Sequence, residues 1–302
     1  VEGDLPINPL AAAQNLDRPG DNTVNNPVAI VDHETGAVHF LYCLEYMRCF
    51  YMRSDDDGAT WTEPVEITRT FEEFRPDYDW KVLATGTNHS IQLRNGRLLV
   101  PVWLSTGTGG NAHRPSVTAT IYSDDAGQTR KAGEVAVHCT DEFVNPNETV
   151  AMELMDGRVM LNVRNESKAH RRIIVTSPDG ISNWSAPKFH EDLIEPICMG
   201  GMVRYDHDGK NLLLFSNPNS LRQRRDVGVR VSLDEGQTWT LARTIEFGWS
   251  AYSDINVTPK GTILCFYGRS EKQNFAGDRL TMARFDADWL NLDWYLSQQV
   301  GE

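Results

Sequence analysis

Ser54-Asp55-Asp56-Asp57-Gly58-Ala59-Thr60-Trp61 is the stretch that decides how this chain is read. The pattern returns as Ser232-Leu233-Asp234-Glu235-Gly236-Gln237-Thr238-Trp239. It returns again, without its closing Trp, as Ser123-Asp124-Asp125-Ala126-Gly127-Gln128-Thr129-Arg130. Ser177-Pro178-Asp179-Gly180, with Trp184 seven residues after the Ser, is a degenerate fourth copy. A turn built this often, at a period of roughly 55 to 70 residues, predicts an array of similar units. In each box the Asp is expected to cap backbone amides, the Gly to take a left-handed φ and the Trp to pack between neighbouring sheets. Asp-rich loops with Gly resemble calcium sites, but these lack the ligand ladder and closing Glu of an EF-hand. The boxes are therefore read as architecture, with no metal.

Between the boxes lies a second repeat, a hairpin with Gly at its turn. The five examples run from Val28 to Tyr42 around Thr35-Gly36, from His89 to Trp103 around Asn95-Gly96, from Thr149 to Val163 around Asp156-Gly157, from Met202 to Phe215 around Asp208-Gly209, and from Ile255 to Tyr267 around Lys260-Gly261. Asn-Gly and Asp-Gly between apolar runs are strong hairpin signals, because both central residues of the tightest turns need positive φ. Each of the first four hairpins is followed by a strand leading into a box, such as Cys49-Phe50-Tyr51-Met52-Arg53 before Ser54. After the last, Leu280-Thr281-Met282-Ala283-Arg284-Phe285 supplies a partner strand without a box. Repeated four-stranded units without long helical periodicity predict an all-β fold, a β-propeller with five visible units in one domain over 1–302. Residues 1–25 are expected to be an irregular lead-in.

Composition narrows the function. The chain has 302 residues, 40% hydrophobic and 24% charged, enough for a sizeable core. A net charge of -13 argues against nucleic acid, which needs a basic face. It leaves room for an anionic small molecule held by a local group of arginines. No apolar run approaches the roughly 20 residues of a membrane span. Five cysteines, an odd number without metal-type spacing, read as buried free thiols, although Cys43 and Cys49 could pair across a hairpin. The first residues carry neither Met nor a signal-peptide pattern, so an N-terminal portion is expected to be missing.

Ligands of propellers bind where loops and inner strands of several units converge, so site residues should come one or two from each unit. Glu148 lies at the start of a hairpin strand in Asn147-Glu148-Thr149-Val150-Ala151-Met152-Glu153-Leu154, and Arg164 ends the returning strand. Arg224 sits in Leu221-Arg222-Gln223-Arg224-Arg225-Asp226-Val227-Gly228, and Tyr252 in Ser250-Ala251-Tyr252-Ser253-Asp254. Singly, each is an ordinary strand-end residue. Together with the boxes and the N-E-x-x-x-x-E-L-x-D-G-R-x-x-L-N-x-R run, they resemble the exo-α-sialidase (neuraminidase) family from about Asn26 onward.

That resemblance implies roles. Tyr252 matches the nucleophile, Glu148 the carboxylate that takes its proton, and Arg164 and Arg224 two of three arginines gripping the sialic acid carboxylate. It also implies a sialylated glycan or related anionic sugar as substrate, no cofactor, and a secreted or periplasmic location. The physics suits these types. A sialic acid carries its carboxylate on the anomeric carbon, which would repel an anionic nucleophile, and sialidases are the Tyr exception among glycosidases. A phenol with an ordinary pKa of about 10 needs a base beside it. Guanidinium groups bind carboxylates bidentately and keep their charge. His89, in a loop with Trp80, Thr85 and Asn88, is expected to border the pocket. Arg222 and Arg225 are alternatives to Arg224 by register, Asp226 a local charge partner, and Glu153 structural.

The chain also departs from the family. A six-bladed sialidase brings an Arg in a Phe-Arg-Ile-Pro motif and a general-acid Asp from its first blade, and neither is found. Phe74-Arg75-Pro76-Asp77 follows the first box and is not taken as that motif, and Asp32 is a hairpin-turn residue. Asn26 to Thr35 resembles the start of the family's second unit, so about one N-terminal blade is expected to be lacking. A non-catalytic sugar-binding propeller, or a glycosidase of the same scaffold for another anionic sugar, therefore stays open beside the sialidase.

Overall fold

Apolar alternation around glycine turns builds five antiparallel sheets among the described residues, one for each hairpin counted above. The computed structural model describes residues 23–108, 111–273 and 277–298. The irregular lead-in expected over 1–25 lies outside the described residues except for its last three. Of those, Val24 and Asn25 already belong to a strand. The first sheet runs β1 (Val24–Val31), β2 (Val38–Leu44), β3 (Arg48–Ser54), β4 (Val65–Glu66). The second comprises β5 (Val82–Thr85), β6 (Ile91–Gln92), β7 (Leu98–Ser105), β8 (Ser116–Ser123) and β9 (Lys131–Val137). The third is β10 (Thr149–Glu153), β11 (Val159–Val163), β12 (Arg171–Ser177) and β13 (Lys188–Ile194). The fourth is β14 (Gly201–His207), β15 (Lys210–Pro218), β16 (Val227–Ser232) and β17 (Thr240–Thr244). The fifth has β18 (Ser250–Val257), β19 (Ile263–Arg269) and β20 (Arg279–Phe285), followed by α1 (Ala287–Leu290) and α2 (Leu292–Gln298). Each is a meander of neighbouring strands, the blade form of a β-propeller.

The chain divides into two compact units. One comprises Val1–Glu153, Gly157–Ser167 and Ile174–Lys188, the other Leu154–Asp156, Lys168–Ile173 and Phe189–Glu302. In the first, Val28, Leu41, Leu83, Leu104, Ala119 and Ile121 share a core with Phe71 and Phe74 of a 3-10 helix (Thr68–Phe74). In the second, Leu214, Val229, Ile255, Ile263 and Cys265 pack with Leu290 and Leu292, so the short helices close that core. All eight residues of β7 are buried, as expected of a strand covered on both faces.

The boxes fold as expected of turns. In the first, the Ser54 hydroxyl donates to Asp56 (2.8 Å) and accepts from Gly58 N–H (2.8 Å), while Asp56 accepts from the backbone (2.8 Å) and hydroxyl (2.7 Å) of Thr60. The same bonds recur around Asp125 and Asp234, and Asp179 makes a shorter version with Ser182. The Trp contacts differ from the expectation of packing between neighbouring sheets: Trp239 is buried, but against Phe215 of its own sheet at 6.0 Å, and Trp61 is exposed and touches Phe40, also of its own sheet, at 5.5 Å.

Two hairpin expectations are corrected. Only Asp208-Gly209 has both central residues at positive φ (52° and 76°), joining paired His207 and Lys210. In the other four, Gly alone is left-handed, at the end of a longer turn. The strand expected from His89 is broken as well. β6 pairs with Leu98 and Leu99 and β5 with Val102 to Ser105, so the partner of β7 is interrupted around Pro101. Pro101 brings no N–H to the ladder, and its carbonyl accepts instead from Gly86 N–H in the intervening loop (2.9 Å). All five cysteines are free, with Cys43 and Cys49 directly opposite each other on β2 and β3.

The Thr129 hydroxyl and amide hold the Asp125 carboxyl down to about 2. Its contribution is therefore fully present above the ordinary value of 3.8 and lost as pH falls through 2. Asp125→Ala should lower stability by about 1 kcal/mol at pH 7. In urea titrations at decreasing pH, the gap to wild type should close towards pH 2.

Candidate active site

The hairpin of the third sheet fixes one pair of candidates. Thr149 pairs with Val163, and one step further Arg164 N–H donates to Glu148 O (3.0 Å) while Asn147 N–H donates to Arg164 O (2.9 Å). Glu148 and Arg164 are thus cross-strand neighbours, and the guanidinium donates directly to the carboxylate. They are 7% and 9% exposed, so the charges meet where water screens them little. Asn147 locks the start of the strand, accepting from Glu148 N–H (2.8 Å) and donating to Asn145 O (2.9 Å).

Three aromatic residues not singled out in the sequence pack together in the same compact unit as this pair. The His113 ring lies 4.7 Å from Tyr46 and 5.0 Å from Trp103. Burial, followed by the charge of Glu148, pushes the Tyr46 phenol up to about 12. Burial pulls the His113 imidazole down to about 4, with Glu148 opposing and Arg164 assisting. Both rings therefore stay neutral at pH 7, and both feel the charge of Glu148. Tyr46 could have been suspected from its place in the β2–β3 turn, where it holds a φ of 54°. Nothing local marks Trp103 or His113.

The second pair lies in the other compact unit. Arg224, 7% exposed, donates to Ile197 O (2.6 Å), and its guanidinium carbon stands 5.0 Å from the centroid of the Tyr252 ring. Arg222 is exposed and Arg225 is bonded to Asp226 (2.8 Å), so of the three neighbouring arginines it is Arg224 that turns inward. Ser250 N–H donates to Arg224 O (3.1 Å), and Asp226 and Gly248 exchange two bonds of 2.8 Å, which lace the Arg224 loop to the strand bearing Tyr252. On that strand Ser250 pairs with Arg269 and Ser253 with Tyr267, a register shift that places Tyr252 in a β-bulge. A bulge re-aims a side chain out of the ordinary alternation, and Tyr252 is half-buried.

The support of Arg224 was not anticipated. Ile197 holds a φ of 57°, unusual for a β-branched residue, and presents its carbonyl to Arg224. The segment is pinned by a pair with almost no exposure, Arg172 and Glu195 (2.9 Å), Arg172 also donating to Cys198 O (3.1 Å).

The remaining candidates fall elsewhere. His89 is half-buried on the loop between β5 and β6. Trp80, expected on the same pocket-bordering loop, is instead a core residue whose indole donates to Phe71 O (2.8 Å). Thr85 is buried and tied to Asn26, whose amide donates to Thr85 O (2.9 Å). Arg75 is held by Glu72 and Asp79 and lies over Trp80 (4.1 Å), a structural role. Asp32 accepts from Thr35 and Gln92 as a turn residue, and Glu153 pairs with Arg94 (3.1 Å). Among the described residues the group able to hold a metal ion is His207, Asp208 and Asp293, with ligand atoms within 4.8 Å of one another; Asp208 and Asp293 are exposed and His207 is half-buried. Among the described residues no helix is long and apolar enough to cross a membrane.

A meander-blade fold with box turns, carrying a buried Glu–Arg pair and an Arg–Tyr pair at strand ends, defines a class. The BNR repeat-like domain family matches residues 8–265. The chain is 28% identical over 294 residues to a sialidase of Micromonospora viridifaciens, covering 88% of this chain and 42% of that protein. It is 28% identical over 226 residues to a sialidase of Bacteroides fragilis strain YCH46, covering 72% and 39%. Among solved structures, the Hadza microbial sialidase Hz136 superposes with a TM-score of 0.74 at 26% identity, over 92% of this chain and 55% of that one. The chain thus spans about two fifths of the length of these two curated relatives. It belongs to the BNR repeat-like, exo-α-sialidase family of β-propeller proteins.

Two outcomes test this local architecture. Glu195→Gln strands a buried guanidinium and should cost about 3–5 kcal/mol in urea unfolding, and a double change of Arg172→Met with Glu195→Leu should recover most of it. His113 ionises at about 4 when folded against an ordinary 6.5, so the unfolded chain takes up the proton first and stability falls as pH drops from 6.5 towards 4. His113→Gln should flatten that part of the stability–pH profile.

Proposed function

We propose that this chain is a sialidase-type glycoside hydrolase releasing terminal α-linked sialic acid from glycoconjugates with retention of configuration. The observation that carries the reading is Tyr252 on its bulge with the buried Arg224 guanidinium at 5.0 Å, in a chain of this family. Tyr252 attacks the anomeric carbon as a neutral phenol, which the substrate carboxylate does not repel, and the glycosidic bond breaks as the aglycone leaves with a proton from the general acid. Glu148 takes the phenolic proton, splitting the displacement into formation and hydrolysis of a tyrosyl intermediate. Arg164 and Arg224 hold the substrate carboxylate through paired N–H donors. His89 borders the sugar. The family's six-bladed arrangement, with a further blade bringing the third arginine and the general acid, belongs to the same proposal, as does work outside the cytoplasm, where glycoconjugates are met.

The rival, sugar binding without turnover, keeps both arginines and dispenses with the acid, whose contribution would be about 10²–10⁴-fold. A fluorogenic sialoside separates the two. Wild type should release the fluorophore, Tyr252→Phe should abolish release, and Glu148→Gln should reduce it by about 10²–10⁴-fold. A folded wild type that binds sialic acid without turnover would establish the rival, and activity surviving Tyr252→Phe would remove Tyr252 from its role.

A further inference from the structure

Two of the five cysteines meet in the first sheet. Cys43 on β2 and Cys49 on β3 are directly opposite partners in the antiparallel ladder, so their side chains share a face. Both are fully buried, in one core with Val28, Leu41, Ile67 and Phe71. The backbone of Cys49 shows which kind of partners they are. Its N–H donates to the Thr68 hydroxyl (3.0 Å), and its carbonyl accepts from Ile67 N–H (2.8 Å). Both groups therefore point away from β2, which makes Cys43–Cys49 a non-hydrogen-bonded pair. Pairs of that kind bring Cα atoms to about 4.5 Å, the closest approach in an antiparallel sheet. A disulfide spans Cα separations of roughly 4.4–6.8 Å, so this pair can close without a change of register. The two thiols also sense each other, burial and then Cys43 pushing the Cys49 thiol well above its ordinary value.

Between the two cysteines runs a tight turn with a strained backbone. Glu45 and Tyr46 hold φ of 52° and 54°, left-handed values that are costly away from glycine. The turn is held from outside, as Glu45 N–H donates to Thr23 O (2.9 Å) and Leu83 N–H to Tyr46 O (2.8 Å). Tyr46 carries the ring that lies against His113 (4.7 Å) and feels the charge of Glu148. A cross-link at the base of this turn would remove conformations from the unfolded hairpin.

We propose that Cys43 and Cys49 are an oxidation site, closing in oxidising surroundings into a cross-strand disulfide that staples the β2–β3 turn. The oxidant is an external disulfide donor. One cysteine thiolate attacks it, forming a mixed disulfide and releasing one thiol, and the other cysteine then displaces the second. Two electrons leave the cysteine sulphurs, and these electrons and both protons end on the two released thiols. Neither sulphur is exposed in the folded chain, so exchange belongs to folding, when the hairpin has formed but its core is still open. The closed core then shields the bond from reductants. The inference does not rest on the sialidase reading, because neither cysteine takes part in the proposed chemistry.

The whole chain exported to the oxidising periplasm of a bacterial host, compared with chain folded in a reducing cytoplasm, tests it. Alkylation in denaturant should find all five cysteines free in the reduced preparation and two fewer in the exported one. Peptide mapping should join the Cys43 and Cys49 segments, lighter by two hydrogens. The exported form should melt roughly 3–6 °C higher, and reductant should cleave the bond only once the chain unfolds. Cys43→Ala should show neither the link nor the difference in melting. Five free thiols in exported wild type, a link through half-buried Cys139, or equal melting of the two wild-type forms would each overturn the proposal. The thiol count and peptide map on wild type decide even if the variant does not fold.

Discussion

A serine hydroxyl that donates to an Asp two residues on, and accepts from a glycine amide, is the closure on which this architecture turns. Ser54 with Asp56 and Gly58 makes it, and Ser123, Ser177 and Ser232 repeat it. The bonds are local, so each turn can form without help from distant chain, and each sends the third strand of its sheet back as a fourth. What they do not do is bury apolar surface. That task falls to strands such as β7, covered on both faces, which no single meander could satisfy alone.

The glycines and boxes made the repeat legible because turn chemistry is written within a few residues. Asp208-Gly209 announced its geometry, and the number of hairpins matched the number of sheets. Features that depend on two distant segments were harder to read. Pro101 was in plain view inside an apolar run, yet the break it accompanies in the neighbouring strand also involves Gly86, which lies outside any hairpin signal. Trp61 and Trp239 occupy the same position of the same motif and end in opposite environments, because the surroundings of the turn, not the turn itself, decide burial.

The candidate site divides along the same line. Glu148 and Arg164 could have been paired by counting outward from the Asp156-Gly157 turn, since the register is unbroken from Glu153–Val159 to Thr149–Val163. Tyr252 could not, because the bulge beside it defeats alternation. Arg224 stood out from Arg222 and Arg225 only once burial was known. Arg172 and Glu195 escaped altogether: both look like ordinary surface charges in sequence, and neither carries a motif. Their value lies in position, as they hold the segment whose strained Ile197 carbonyl meets Arg224.

The buried Glu148–Arg164 pair has a consequence for descent. Losing either partner alone breaks an ion pair that is almost shielded from water, a penalty of several kcal/mol that has nothing to do with turnover. Selection for a folded protein would therefore keep both residues long after selection for hydrolysis had lapsed. Among diverging members of the family, this half of the motif should outlive the chemistry. Tyr252, half-buried on its bulge, has no such protection and should be the earlier to drift.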